Sequence, residues 1–161
     1  MIALDTNVLV RYLALDDPAQ SRRAAAVIEE ALSREEGVFI PVIVLCETVW
    51  VLRGYYKLSK QRIIQVLDAI LTEKGFKLEA RPEIYKALAE YRLYSGDFAD
   101  YVIGFTSRAH RCSAVFTFDQ SLKTSSLFKP KRAMPATQVL MLSFQPFSSV
   151  VNSVRKRLRR S

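Results

Sequence analysis

Ile2-Ala3-Leu4-Asp5-Thr6-Asn7 opens the chain with a strand-sized apolar run that ends on a carboxylate, a hydroxyl and an amide. The pattern returns at Phe116-Thr117-Phe118-Asp119, again an apolar run closed by a carboxylate. Between them, short apolar runs alternate with helical periods. Strands are expected at residues 2–4, 38–40, 77–80 and 114–118, with a last one at 138–142, and helices at 19–33, 44–56, 59–72, 82–94 and 97–110. Asp16-Asp17-Pro18 is a helix start signal with proline in the first turn. Ser59 is the expected cap of a helix that turns Ile63, Leu67, Ile70 and Leu71 inward. Strands separated by helices indicate an α/β fold, a mostly parallel central sheet with helices on its faces in three layers. Ligands of such sheets bind beyond the carboxyl ends of the strands, where Asp5 and Asp119 fall.

Four acids stand out, and each also has a plain structural reading. Asp5, with Thr6 and Asn7, is a good cap for residues 8–13. Glu47 lies in Val42-Ile43-Val44-Leu45-Cys46-Glu47-Thr48-Val49-Trp50-Val51-Leu52, which is otherwise almost wholly apolar. A carboxylate buried in such a run must be paired, protonated or bound to a metal, with Arg53 the nearest ion-pair partner. In Gly96-Asp97-Phe98-Ala99-Asp100-Tyr101-Val102-Ile103 two acids stand three apart at a helix start. Capping accounts for Asp97, whereas Asp100 leads straight into apolar residues and is expected to face the sheet. Asp119 also reads as a turn-initiating Asp before Gln120-Ser121, and Thr117, on the same strand face, offers a hydroxyl. Gathered by one sheet, Asp5, Glu47, Asp100 and Asp119 form a hard oxygen-donor set suited to Mg²⁺ or Mn²⁺. Such an ion activates water and offsets charge growing on a phosphodiester, and without a cation the clustered carboxylates repel one another.

The net charge of +8 is unevenly distributed. Residues 1–128 hold all 16 acidic groups and 16 of the 24 Lys and Arg, so the body is neutral. The surplus is Lys129, Lys131, Arg132, Arg155, Lys156, Arg157, Arg159 and Arg160. Length and apolar content suit one core, expected over residues 1–142, with 143–161 a basic tail expected to be disordered. The start at Met1 meets an acid at once, with no basic region leading into an apolar one, so no signal peptide is expected. No uncharged apolar run is long enough for a membrane span. Cys46 and Cys112 form no CxxC and read as reduced thiols of a cytoplasmic protein. One histidine, His110, cannot supply the acid and base pair of a metal-free ribonuclease and is expected at a helix end. GxxxxGK[ST], GxGxxG, HExxH and GxSxG are all absent, which removes the common nucleotide-binding, zinc-protease and serine-hydrolase readings.

In order along the chain, Ile2-Ala3-Leu4-Asp5-Thr6-Asn7-Val8-Leu9-Val10, the segment around Glu47, Asp97-Phe98-Ala99-Asp100-Tyr101-Val102-Ile103 and Thr117-Phe118-Asp119 resemble the PIN-domain family, specifically its VapC-type toxins. The resemblance covers about residues 1–128. It implies a parallel sheet flanked by helices and Mg²⁺- or Mn²⁺-dependent endonucleolytic cleavage of RNA. It also implies ligation through Asp5, Glu47, Asp100 and Asp119, with Thr6, Asn7, Asp97 and Thr117 in support. Asp97 and Asp100 compete for the third ligand position, and the acid leading into the apolar helix, Asp100, is favoured. Such toxins pair with a cognate antitoxin that reaches into the acidic site, often with an arginine, and usually form homodimers. The chain departs from the pattern after Phe128, where basic residues continue without acids. Two rivals remain. A noncatalytic RNA-binding or interaction module would use the basic tail, and a phosphohydrolase resembling the haloacid dehalogenases would want an Asp at position 7, where this chain has Asn.

Overall fold

The computed structural model describes residues 1–130. In chain order it runs β1 (Ile2–Ala3), α1 (Thr6–Ala14), α2 (Pro18–Ser33), β2 (Val38–Ile40), α3 (Val42–Gly54), α4 (Lys60–Thr72), β3 (Phe76–Leu78), α5 (Arg81–Leu93), α6 (Phe98–Ala109), β4 (Val115–Thr117), a short 3₁₀ turn at Gln120–Leu122 and β5 (Phe128–Pro130). β1, β2 and β3 form one ladder in that order, β4 and β5 a second, and every pairing is parallel. The α/β class with parallel strands and intervening helices is as expected.

Local chemistry fixes the boundaries. Asp5 is the cap of α1, its Oδ1 accepting from the Val8 amide at 2.9 Å, and Asp17 caps α2 through the Ala19 and Gln20 amides at 3.0 Å. Ser59 caps α4, and Ile63, Leu67, Ile70 and Leu71 are the buried face of that helix. His110 stands at the carboxyl end of α6. Two expectations shift. The third strand occupies Phe76–Leu78 rather than residues 77–80, because Ala80 turns into the left-handed region (φ 51°) to start α5. Helix α3 begins at Val42, two residues before the expected start. Pro41 offers no side-chain cap there, and the Glu79 carboxylate beyond β3 accepts from the Val42 amide at 2.8 Å instead. A 3₁₀ turn follows Asp119, in keeping with its reading as a turn-initiating residue, whereas β5 has no counterpart in the expected strands, since a three-residue element carries no periodicity. The expected last strand at 138–142 and the basic end at 143–161 lie outside the described residues.

The core gathers Leu9 of α1, Ile28 of α2, Val38 and Ile40 of β2, Leu45 and Val49 of α3, Ile63 and Leu67 of α4, Ile84 of α5, and Phe98 and Tyr101 of α6. The strands alternate as pleating requires: Phe76 and Leu78 are buried while Lys77 between them is exposed. Gly104 of α6 lets that helix lie on the end of the second ladder, since a Cβ there would stand 2.9 Å from Leu127 Cδ1 and 3.3 Å from Phe128 Cζ. Among the described residues no helix is long and apolar enough to cross a membrane.

Candidate active site

Asp5 and Asp119 follow the carboxyl ends of β1 and β4, and both are exposed. Each caps the helical turn that follows it. Val8 N–H donates to Asp5 Oδ1 at 2.9 Å, and Ser121 N–H donates to Asp119 Oδ1 at 2.8 Å. Thr117 supports Asp119 through the backbone, its Oγ1 accepting from the Asp119 amide at 3.0 Å. Glu79 is a third acid beyond a strand end, passed over because residue 79 was read as part of the strand. Its carboxylate caps α3.

Glu47 overturns one inference from the sequence. It is exposed, not buried: α3 buries Val44, Leu45, Cys46, Thr48, Val49 and Leu52 and leaves Ile43, Glu47 and Trp50 in solvent as one stripe. Burial therefore imposes no partner on Glu47. Its carboxylate is still fixed, because Thr6 Oγ1 donates to Glu47 Oε2 and ties α3 to the first turn of α1. Arg53, the partner suggested by proximity in sequence, pairs with Asp97 instead. Cys46 beside Glu47 is a buried thiol pushed up to about 11, by burial first and then by the Glu47 charge, and is inert at neutral pH. Asn7, expected in support of the acids, is exposed and lines a separate cavity of about 230 Å³ between α1 and α2, with Val8, Arg11, Gln20 and Arg23.

Asp97 and Asp100 form a capping box on α6, in which the Asp97 amide donates to Asp100 Oδ2 at 3.1 Å. Both are half-buried, but their electrostatic surroundings differ. Asp97 is neutralised by Arg53. Among the described residues no cation pairs with Asp100, and burial holds its carboxyl above the ordinary carboxylate range. The Asp97 amide pulls it back down, while the negative charges of Asp97 and Asp119 push it further up. The fields of Asp100 and Asp119 thus overlap.

Asp5, Glu47, Asp100 and Asp119 share one feature. In each, one oxygen is engaged by a donor of this chain, and among the described residues the other oxygen accepts no hydrogen bond. Among those residues no three acidic, Cys or His side chains converge closely enough to form a ligand cage. As donors, the carboxylates are the hard oxygen type that Mg²⁺ or Mn²⁺ takes.

The PIN domain profile matches residues 2–124, which span β1 to just beyond the 3₁₀ turn and include all of these acids. The chain belongs to the PIN-domain family. A VapC ribonuclease of Aquifex aeolicus (strain VF5) is 28% identical to this PIN domain over 123 residues, covering 76% of this chain and 90% of that protein. The shared region of the PIN domain ends before β5.

Proposed function

We propose that this PIN domain is a divalent-metal-dependent endoribonuclease and the toxin of a type II toxin–antitoxin pair, acting in the cytoplasm. The carrying observation is the Asp100 carboxyl, half-buried, paired with no cation among the described residues and in the field of Asp119, which presents a carboxylate with one oxygen free beyond β4. Membership of the PIN family and the likeness to a VapC ribonuclease supply the reaction class.

Asp5, Asp100 and Asp119 would hold Mg²⁺ or Mn²⁺, with Glu47 completing the site directly or through water. When bound, the ion lowers the pKa of water and offsets charge growing on the scissile phosphate. The chain's own residues do the rest. Val8 and Ser121 amides fix one oxygen of Asp5 and Asp119, so the second oxygen faces the substrate without a search over rotamers. Thr6 does the same for Glu47 across the gap between α1 and α3. The Arg53 pairing of Asp97 supports Asp100 as the third ligand. In-line attack by water leaves a 5′-phosphate and a 3′-hydroxyl. The antitoxin, reaching an arginine toward the carboxylates, would rest on the exposed Ile43 and Trp50 that frame Glu47, and the toxin would work as a homodimer.

The test is cleavage of a mixed cellular RNA pool by the purified chain with Mg²⁺, with Mn²⁺ and with EDTA, beside Asp5→Asn. Discrete cuts that require metal and disappear in the variant are expected. RNA that stays intact while still binding would replace this reading with a noncatalytic RNA-binding module, and 2′,3′-cyclic phosphate ends would overturn the attack by water.

A further inference from the structure

Arg53, the partner of Asp97, also lines a cavity of about 430 Å³ together with Lys60, Tyr91, Ser95 and Gly96. Four elements or junctions build it: the end of α3, the first residue of α4, the last turns of α5, and the α5–α6 loop. The cavity adjoins the acids through Asp97, which binds Arg53 with its carboxylate and Asp100 with its amide.

Its charge is unbalanced. Two cations line it, and among the described residues Asp97 is the one carboxylate paired with either of them. Lys60 Nζ donates to the Tyr94 carbonyl and stands 4.7 Å above the Tyr91 ring centre, a cation–π contact that consumes no N–H. An ammonium has three donors, so two remain. Arg53 donates from Nη1 to Asp97, and its other donors have no acceptor among the described residues. Ser95 adds an exposed hydroxyl. Burial, and then the neighbouring Arg53 charge, holds the Lys60 ammonium below its ordinary range, so the two cations repel across the cavity. An anion between them relieves that repulsion and fills the open donors. The volume lies within the range of sites that hold small ligands of nucleotide size, roughly 300–1,000 Å³.

We propose that this cavity is a phosphate-binding subsite in which Arg53 and Lys60 grip the RNA backbone phosphate of a nucleotide next to the scissile one. The choice of RNA as the source of that phosphate rests on the nuclease reading above. The subsite answers a problem set by the carboxylates: in a body with equal numbers of acidic and basic residues, a cluster of acids repels the polyanion it is meant to cut. A local pair of cations beside the acids holds the strand in place while the acids remain available.

Binding of a short labelled single-stranded RNA is measured by fluorescence anisotropy in EDTA across a salt series, for the full chain and for Lys60→Gln, Arg53→Gln and Arg62→Gln. Arg62 shares α4 and is exposed, but does not line the cavity, so its loss reports on general charge. Lys60→Gln and Arg53→Gln are each expected to weaken binding about tenfold or more at low salt. Each should also lower the slope of log affinity against log salt by about 0.7. Arg62→Gln should leave the slope unchanged, and Lys60→Arg should restore affinity. Circular dichroism identifies any variant that fails to fold, and the other variant then carries the test. Slopes equal to those of the unaltered chain in both cavity variants overturn the subsite. If inorganic phosphate raises the melting temperature and both variants lose that effect while RNA slopes stay unchanged, the cavity takes free phosphate and the RNA assignment is overturned. Because binding is read without cleavage, these outcomes stay separate from the nuclease reading, which fails only if the unaltered chain does not cut RNA with metal.

Discussion

Helices α3 and α4 are both 13 residues long and consecutive, yet they use their surfaces differently. Helix α4 is divided cleanly, with Ile63, Leu67, Ile70 and Leu71 in the core and Lys60, Arg62, Gln65 and Asp68 toward or in solvent. Helix α3 buries six residues and leaves a narrow strip in which Glu47 lies between Ile43, 57% exposed, and Trp50, 54% exposed. The buried face of α4 serves stability, while its first residue, Lys60, borders the cavity that Arg53 also lines. An exposed strip of large apolar side chains around a carboxylate retains hydration costs that a purely structural helix would shed, and it marks the face available to other molecules. Under the proposed function, the more apolar of the two helices carries the chemistry.

The largest test of this contrast is Leu67→Ala on α4. Its side chain is 1% exposed, so truncation is expected to cost about 2–5 kcal/mol in denaturant unfolding while cleavage per folded molecule stays unchanged. A parallel loss of specific activity would place α4 in the site and break the contrast. On α3 the pattern inverts. Glu47→Gln should reduce cleavage about 10- to 100-fold. The same substitution should move stability by no more than about 0.5 kcal/mol, as expected of an exposed position. On α6 the two roles meet in one residue. The Asp100 carboxyl is raised in the folded chain, so its charged form costs stability above that raised value, and the cost disappears once pH falls below the ordinary value of about 3.9. Asp100→Asn keeps an acceptor for the Asp97 amide and should raise the melting temperature by a few degrees at neutral pH in EDTA. The gain should vanish in acid, and cleavage should be lost throughout. A gain that persists in acid would mean the benefit is not electrostatic.

The same contrast explains how far the sequence could be read. On α4 the period of apolar residues and the Ser59 cap are local signals, and both helix and buried face follow from them. On α3 the apolar run suggested a buried carboxylate because composition does not distinguish Val44, which is buried, from Ile43, which is not. The acids themselves were visible one by one as residues that end strands or begin helices. What orients them was not. Thr6 reaches Glu47 across 41 positions and Arg53 reaches Asp97 across 44, and Glu79 caps a helix 37 positions earlier. Such contacts are products of the assembled fold and leave no mark in a local window. The cavity around Lys60 was invisible for the same reason, since its walls come from separate elements.

The two ladders also differ in how the chain can make them as it is synthesised. Ile2 must wait for Val38, and Val38 for Phe76, before either parallel pairing exists. Val115 meets Phe128 after a far shorter span, through a link with a single 3₁₀ turn. The loop-closure entropies of the Ile2–Val38 and Val115–Phe128 spans differ by roughly 0.9 kcal/mol. A ribosome-bound chain therefore holds β1 as an unpaired edge until α1 and α2 have emerged, whereas β4 and β5 can close almost as soon as both are made. That order makes Asp5 first and the Asp119 loop last of the four acids, so the nascent chain carries an incomplete set until β4 has been made.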